Sequence, residues 1–593
     1  MLTFSGRLAA LRTVFPEVGI DGFLVPRSDE HLGEYVPAGA ERLAWLTGFT
    51  GSAGLAIALA ERAAIFVDGR YVLQVRQEVD GTLWDYRHVT DEPPADWLKE
   101  AVPAGARIGY DPLLIAEETL DRLIRAVPAL TFVPLPENPI DRIWQDQPPP
   151  PKAAVSIYPA AFAGRSAEEK RAEIAGILKA AGEDAAVITD PPAINWLLNI
   201  RGADVPFAPL ALGFLILRAD ATATLFMAPE KISDEVRLHL GNTVSLEPRA
   251  ALGTALDALK GLRVRVDSQA SPVWFAQRLR AAGAEVIAGP DPIALPKACK
   301  NPVEQDGARR AHGRDAIALC RYLHWLSENG KTGTQTEISA AAALLAFRAE
   351  APEFREESFP AISGAGENGA IIHYRVSPES NRRLAPNEVY LVDSGAQYED
   401  GTTDVTRTIW TGPDRPPAAL KDRFTRVLKG HIGIATLRFP QGVAGAHLDA
   451  FARAPLWQAG LDYDHGTGHG VGAYLSVHEG PVSLSRAARP IPLKSGMILS
   501  NEPGYYLPGA YGIRLENLLI VQPAAAQADG VKPFLEFETI TWAPFDRALI
   551  ETALLTPAER QWLDGYHAEV WRRVGPQLTG AVATWLASAC APL

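Results

Sequence analysis

What most constrains this chain is a set of acidic residues placed where strand-like apolar runs begin or end. Asp393 closes Val389-Tyr-Leu-Val392, Asp404 opens the β-branched run that ends at Trp410, and Glu502 follows Met497-Ile-Leu-Ser-Asn501 and is stopped by Pro503-Gly504. Glu516 lies in a strand-like stretch, two residues after Arg514 and on the same face. A lone carboxylate in such a setting is costly unless it is paired or bound to a metal. Singly, each acid reads as a solvated or salt-bridged group; gathered together they read as ligands.

A histidine joins them. His465 and His469 are spaced i, i+4 in His465-Gly-Thr-Gly-His469-Gly, but the glycines and the missing Glu of a His-Glu-x-x-His motif argue against a zinc-binding helix. A glycine loop that lets backbone and imidazole approach a ligand closely is the better account. Two Asp, one His and two Glu suit two divalent ions, and a carboxylate-rich set favours hard or borderline ions such as manganese. Such a pair of ions activates water and stabilises the charge of a hydrolytic transition state. Without metal, four crowded carboxylates repel one another and titrate high, whereas two divalent cations offset their charge.

The chain between Asp393 and Asp404 leaves a choice of register. A turn centred between Tyr398 and Glu399 sets the two side chains face to face across a hairpin. A tight turn at Asp400-Gly401 puts them four residues out of register, roughly 13 Å apart, and a shared site then needs a wider loop or a bulge.

At 593 residues the chain is too long for one core, and length alone suggests about three or four domains. Hydrophobic content of 47% and charged content of 21% describe an ordinary globular protein. The net charge of −13 argues against nucleic acid and anionic membranes as partners. Cys299, Cys320 and Cys590 form no metal-spacing motif and read as buried or incidental thiols. Arg7 and Arg12 interrupt any signal-like apolar core, and no run of about 20 apolar residues is present, so a cytoplasmic enzyme is expected.

Prolines punctuate the sequence at Gln147-Pro-Pro-Pro-Pro151 and again at Gly289-Pro-Asp-Pro, Pro296 and Pro302. The first two segments look like distant repeats: Trp45-Leu-Thr-Gly-Phe-Thr-Gly51 is similar to Trp196-Leu-Leu-Asn-Ile-Arg-Gly202. Each match is preceded by one apolar run (Gly22 to Val25; Asp184 to Ile188) and followed by two. The runs that follow are Leu55 to Leu59 with Ala63 to Val67, and Leu212 to Leu217 with Ala221 to Met227. With helical candidates such as Ala167 to Ala181 between them, both segments read as α/β domains. Asn301-Pro302-Val-Glu304 starts a helix in the third segment, and Thr556 with Glu559 caps another in the tail.

These motifs resemble the pita-bread metallopeptidases, the family of methionine aminopeptidase, prolidase and aminopeptidase P. The match is closest to the three-domain, cytosolic-type Xaa-Pro aminopeptidase branch. It is carried by Ser358-Phe-Pro-Ala-Ile-Ser363, Asn368-Gly-Ala-Ile-Ile-His373-Tyr, Tyr390-Leu-Val-Asp-Ser-Gly-Ala-Gln-Tyr398, Asp400-Gly-Thr-Thr-Asp-Val-Thr-Arg407 and His465-Gly-Thr-Gly-His-Gly-Val-Gly472. Phe66-Val-Asp-Gly-Arg70-Tyr and Asp141-Arg-Ile-Trp144 extend it to the first segment. The resemblance implies two creatinase-like α/β domains at 1–150 and 151–300, a pita-bread α+β catalytic domain at 301–545, and a helical extension at 546–593 packed on that domain.

By the same resemblance Asp393, Asp404, His469, Glu502 and Glu516 are the metal ligands, with Asp404 and Glu516 bridging two ions, most naturally manganese, with cobalt or zinc as alternatives. His373, His465 and His478 match the family's active-site histidines; His478 looks like the proton shuttle, while His373 and His465 hold the substrate. Tyr506 and Arg514 match residues lining the proline-accepting site, and Arg70 matches an arginine by which the first domain helps to bind substrate. The implied activity is release of the N-terminal residue from peptides with proline second, by a homodimer. The alternatives are a prolidase restricted to Xaa-Pro dipeptides and a non-catalytic pita-bread binding module.

Overall fold

The computed structural model describes residues 2–526 and 532–593. They form two compact units, one of residues 1–160 and 165–294, the other of residues 161–164 and 295–593.

The first unit holds two six-stranded sheets of one topology. One runs in the order Asp85–His88, Ala63–Val67, Leu55–Leu59, Gly22–Pro26, Arg107–Tyr110, Thr131–Pro134. The other runs Val244–Glu247, Ala223–Phe226, Phe214–Arg218, Ala185–Ile188, Arg263–Val266, Glu285–Ala288. In each, the first strand in sequence pairs antiparallel with the second, the second antiparallel with the third, and the remaining pairs are parallel. The repeat suggested by the two Trp-Leu segments thus has a structural counterpart. Trp45 and Trp196 each lie on the helix that follows the first strand, Arg42–Thr47 and Pro191–Leu198. Helix Ala167–Ala181 begins at a capping box formed by Ser166 and Glu169 and ends at Gly182, whose φ of 67° suits a residue without a Cβ.

The second unit opens with helix Pro302–Asn329. Asn301 caps it through the backbone N–H groups of Val303 and Glu304, and Pro302 occupies the first turn, where its missing N–H costs nothing. Behind it lie a three-stranded sheet (Ile362–Ala365, Val389–Ser394, Val405–Trp410) and a six-stranded sheet. In the latter the neighbouring strands Asn517–Pro523, Ile498–Asn501, Gly468–Gly470 and Glu479–Leu484 lie side by side. The tail helix Pro557–Val574, capped by Thr556 and Glu559, buries Leu563, Tyr566, Val570 and Val574 in one apolar cluster with Phe424, Phe545, Leu549, Cys320 and Cys590. Among the described residues no helix is long and apolar enough to cross a membrane.

The open register resolves to a third solution. Tyr398 pairs with Gly401 and Asp393 with Thr406, so the turn is Glu399-Asp400 and no bulge intervenes in either ladder. Asp393 and Asp404 are therefore diagonal neighbours, two residues out of register on one face, with backbones roughly 7–8 Å apart and side chains able to converge. The cause is tertiary. Asp400 is buried and ion-paired to Arg310 and Arg314 on helix Pro302–Asn329. The helix meets the turn so closely that a Cβ on Gly307 would lie 2.3 Å from the Asp400 carbonyl oxygen.

Candidate metal centre

The hairpin contributes Asp393 and Asp404; the six-stranded sheet and its margins contribute the rest. Strands Ile498–Asn501 and Asn517–Pro523 pair as far as Asn501 opposite Asn517, so Glu502 and Glu516 are the next residues beyond that end of the ladder. Hairpin and sheet are stitched together at this point: the Glu516 N–H donates to the Thr406 carbonyl (3.2 Å), and the Thr408 hydroxyl donates to the Arg514 carbonyl (3.0 Å). The Glu502 N–H donates to the Thr467 carbonyl (2.8 Å), which ties in the histidine loop.

His469 lies on the three-residue strand Gly468–Gly470, so the i, i+4 histidine pair spans a bend and a strand, not a helix. Its glycine neighbours are required by close packing between strands. A Cβ on Gly468 would sit 1.9 Å from the Ser500 carbonyl oxygen, and one on Gly470 would sit 2.2 Å from that of Glu479. Nδ1 of His469 donates to the Gly470 carbonyl (2.9 Å), which leaves Nε2 facing the acids, 3.4 Å from Asp404 Oδ2 and 3.4 Å from Glu502 Oε1. One ligand atom each of Asp404, His469 and Glu516 lie within 4.8 Å of one another. Glu502 and Asp393 border this group. Asp393 Oδ2 accepts from Arg514 Nη2 (2.6 Å), while its Oδ1 is buried without a hydrogen-bond donor among the described residues.

The electrostatics are those of anions crowded out of water. Burial, then the charges of Asp404, Glu502 and Asp393, push Glu516 well above the usual carboxylate range. Burial likewise raises Glu502, to about 7, although His469 pulls the other way. Burial lowers His469, but contact with Asp404 and the charge of Glu502 outweigh it and hold the imidazole up at about 9. An acceptor-rich, buried, mutually repelling set with an orphaned carboxylate oxygen and one imidazole nitrogen fits a pair of hard or borderline divalent cations.

A polar chain runs outward from these acids. Arg514 Nη1 donates to the Tyr506 hydroxyl (2.7 Å), and that hydroxyl meets His465 Nε2 (2.9 Å), whose Nδ1 faces the Gly466 carbonyl (2.7 Å). Arg514 is buried, and its Nε also donates to Thr406 Oγ1, which in turn donates to Glu516 Oε2 (2.8 Å). The His478 ring stands edge-on to His469, with centroids 4.3 Å apart. His373 follows the turn Gly366–Ala370, which closes on strand Tyr511–Arg514: a Cβ on Gly512 would lie 1.7 Å from the Gly369 carbonyl oxygen. Arg70 belongs to the first unit, where it is clamped to Asp68 by two hydrogen bonds of 2.9 and 2.7 Å.

Several supporting residues carry no individual mark in the sequence. Thr406 and Arg407 sit inside the motif that contains Asp404, yet nothing local separates them from ordinary strand residues. The histidine loop is held by Asp449, which accepts from Thr467 (2.6 Å) and from Arg453 Nε (2.6 Å), while Arg453 Nη2 donates to the His465 carbonyl (2.6 Å). Ser500 accepts from the His469 N–H (2.9 Å) and donates to Glu502 (3.0 Å).

Comparisons with known proteins show the family. Residues 306–523 match the profile of metallopeptidase family M24 and residues 533–593 that of its C-terminal region. Residues 7–143 and 146–304 match two profiles of the creatinase/prolidase N-terminal domain. Aminopeptidase P2 of Arabidopsis thaliana is 38% identical over 630 residues, covering 99% of this chain and 88% of that protein. A probable Xaa-Pro aminopeptidase P of Laccaria bicolor is 39% identical over 606 residues, covering 99% and 93%. The crystal structure of X-prolyl aminopeptidase from Caenorhabditis elegans, described as a cytosolic enzyme with a di-nuclear active site, superposes with a TM-score of 0.94 at 32% identity over 100% of both chains. A prolidase from Thermococcus sibiricus shares the fold over only 64% of this chain, with a TM-score of 0.51 at 23% identity. Matched from end to end by relatives of this kind, the chain belongs to the aminopeptidase P group of metallopeptidase family M24, with two creatinase-type α/β domains ahead of a pita-bread catalytic domain.

Proposed function

We propose that this protein is a dinuclear metalloaminopeptidase that hydrolyses the N-terminal Xaa-Pro bond, releasing the first residue from peptides with proline second. The observation that carries the reading is the buried cluster of Asp404, His469 and Glu516 bordered by Glu502 and Asp393, in a chain whose full-length relatives are named as Xaa-Pro aminopeptidases. Asp393, Asp404, His469, Glu502 and Glu516 would hold two divalent ions, manganese by the preference of a carboxylate-rich set. When bound, such ions supply an activated water and Lewis-acid stabilisation of developing negative charge.

The remaining residues supply binding and proton transfer. An Xaa-Pro bond has no N–H to donate, so recognition rests on shape and on the carbonyl, and the departing prolyl nitrogen must be given a proton. His478 would make that transfer; its edge-on contact with His469 supports the reading, and an imidazole suits it near neutral pH. His465 is oriented by Tyr506, and Tyr506 by Arg514, so these three form one wall on which His465 holds the peptide and Tyr506 with Arg514 receive the proline ring. His373 is assigned to substrate binding on the motif that contains it, and Arg70 on resemblance alone. A homodimer acting in the cytoplasm on peptides is the corresponding biological reading.

The test is manganese-dependent hydrolysis of Arg-Pro-Pro, with Arg-Ala-Pro and the dipeptide Arg-Pro run beside it. Cleavage of the first and not of the alanine variant is expected. Cleavage of the dipeptide alone would move the assignment to prolidase, and no cleavage of any of the three by metal-loaded protein would sink the peptidase reading.

A further inference from the structure

We propose that Glu337 is a positioning residue for substrate binding, acting through the segment that carries His373. Glu337 is the first residue of helix Glu337–Arg348, and its side chain is wholly buried, with 0% of the residue exposed. Oε1 accepts from the Ala365 N–H (2.7 Å) and Asn368 Nδ2 (3.0 Å). Oε2 accepts from the Tyr374 hydroxyl (2.8 Å) and the Arg382 N–H (2.8 Å). The backbone of the same residue extends the grip: its N–H donates to the Arg382 carbonyl (3.0 Å), and its carbonyl accepts from Ser363 Oγ (2.7 Å). One carboxylate thus anchors residues 365, 368, 374 and 382, and His373 lies inside that span, next to the Tyr374 anchor.

The chemistry demands a carboxylate. No Lys or Arg among the described residues forms an ion pair with Glu337; its charge is met by four N–H and O–H donors and by the N-terminus of its own helix. An ionised carboxylate accepts at both oxygens, whereas a glutamine amide accepts at one and donates at the other. Whichever way the amide of a glutamine at this position is turned, its NH2 faces a backbone N–H, that of Ala365 or that of Arg382. Neither backbone donor can reverse its role, so one end of the segment must come away. Helix Glu337–Arg348 and Ala365 are the fixed elements here: Ala340, Leu344 and Ala365 share the apolar core that also holds Tyr390 and Val392, and Ala365 pairs with Tyr390 in the sheet, so the part that gives way is the loop of residues 366–382. The loop is what moves.

This inference rests on the reading that His373 holds substrate, and the experiment separates the two. Steady-state constants for Arg-Pro-Pro would be measured for the wild type, Glu337→Gln, His373→Ala and the double variant, each with its bound metal counted. Glu337→Gln should raise KM about tenfold with kcat within about threefold and metal content unchanged, the pattern of lost substrate binding and not of lost folded enzyme. The double variant should be no worse than His373→Ala, because the two changes act along one route. Independent, multiplicative effects would overturn the proposal, as would a fall in kcat and metal content at constant KM. If His373→Ala raises KM and Glu337→Gln does not, only the role of Glu337 fails; if His373→Ala leaves KM alone, the reading of His373 fails and this route with it. Should Glu337→Gln not accumulate as folded protein, Tyr374→Phe takes its place in the cycle. It deletes one anchor and should raise KM about threefold; an unchanged KM would overturn the proposal.

Discussion

Replacing Arg407 with lysine should loosen the joint between the hairpin and the six-stranded sheet, although the charge is kept. Arg407 is 1% exposed and pairs with no carboxylate among the described residues; its guanidinium donates to neutral acceptors. Nη1 donates to the carbonyls of Thr406 (2.8 Å) and Glu516 (2.6 Å), and Nε to that of Pro544 (3.1 Å). Nη2 reaches Asn517 Oδ1 (2.9 Å), the Ala543 carbonyl (2.7 Å) and the Tyr566 hydroxyl (3.0 Å), and the guanidinium stacks 4.4 Å from the Phe545 ring centre. A lysine ammonium has three donors and no plane, and the acceptors that depend on Arg407 are the carbonyls of Glu516 and Pro544 and Asn517 Oδ1, of which one ammonium reaches about one. Each orphaned buried acceptor costs about 1–3 kcal/mol. The Thr406 carbonyl keeps the Glu516 N–H, the Ala543 carbonyl keeps the Tyr566 hydroxyl and that hydroxyl keeps the Ala543 N–H, so about two acceptors are orphaned and the net cost is about 3 kcal/mol. That figure corresponds to roughly a hundredfold rise in the opening equilibrium. Hydrogen exchange reads it directly: amides of Val405–Trp410 and of the tail helix Pro557–Val574 should exchange about a hundredfold faster in Arg407→Lys, while the sheets of the first unit stay unchanged. Exchange within about threefold of wild type would refute the reasoning, since it would mean that charge, not the planar array of donors, is what the site needs.

Other changes probe other parts of the argument. Gly468→Ala places a Cβ against the Ser500 carbonyl at 1.9 Å on the strand that carries His469, and should cut activity by at least about tenfold through displaced ligands, visible as reduced metal binding. Glu479→Gln leaves Lys297 and Lys300, both buried, without the carboxylate that each now contacts, and should cost about 3–5 kcal/mol; a urea midpoint that does not move would count against it. His567 is buried and accepts the Phe545 N–H at Nε2, and burial pulls its imidazole down to about 4. Between roughly pH 6.5 and 4 the unfolded chain therefore binds a proton that the folded chain refuses, so stability falls as pH drops through that window, by about 3 kcal/mol in all. Urea midpoints measured across that window should flatten in His567→Leu.

Legibility in the sequence divides along the range of the forces involved. The helix starts at Asn301 and Thr556 and the apolar runs Leu55–Leu59 and Ala63–Val67 are written within a few residues, and the structure has them where the local pattern puts them. The turn between Asp393 and Asp404 is not local. Glu399-Asp400 has no turn signature stronger than its alternatives; it is chosen because Asp400 pairs with Arg310 and Arg314, about 90 residues earlier, on a helix that can approach only over Gly307. The acids of the candidate centre could be singled out because a carboxylate at the end of an apolar run violates the pattern around it. Arg407, Glu337 and Asp449 violate nothing: each is a polar residue in a stretch where a solvated face would look the same. Burial alone separates a solvated arginine from one that holds the carbonyl of Glu516, and burial is a property of the assembled unit. A reader of sequence therefore finds the groups that do chemistry before the groups that aim them, and the second set has to be looked for among fully buried side chains whose every donor or acceptor is already engaged.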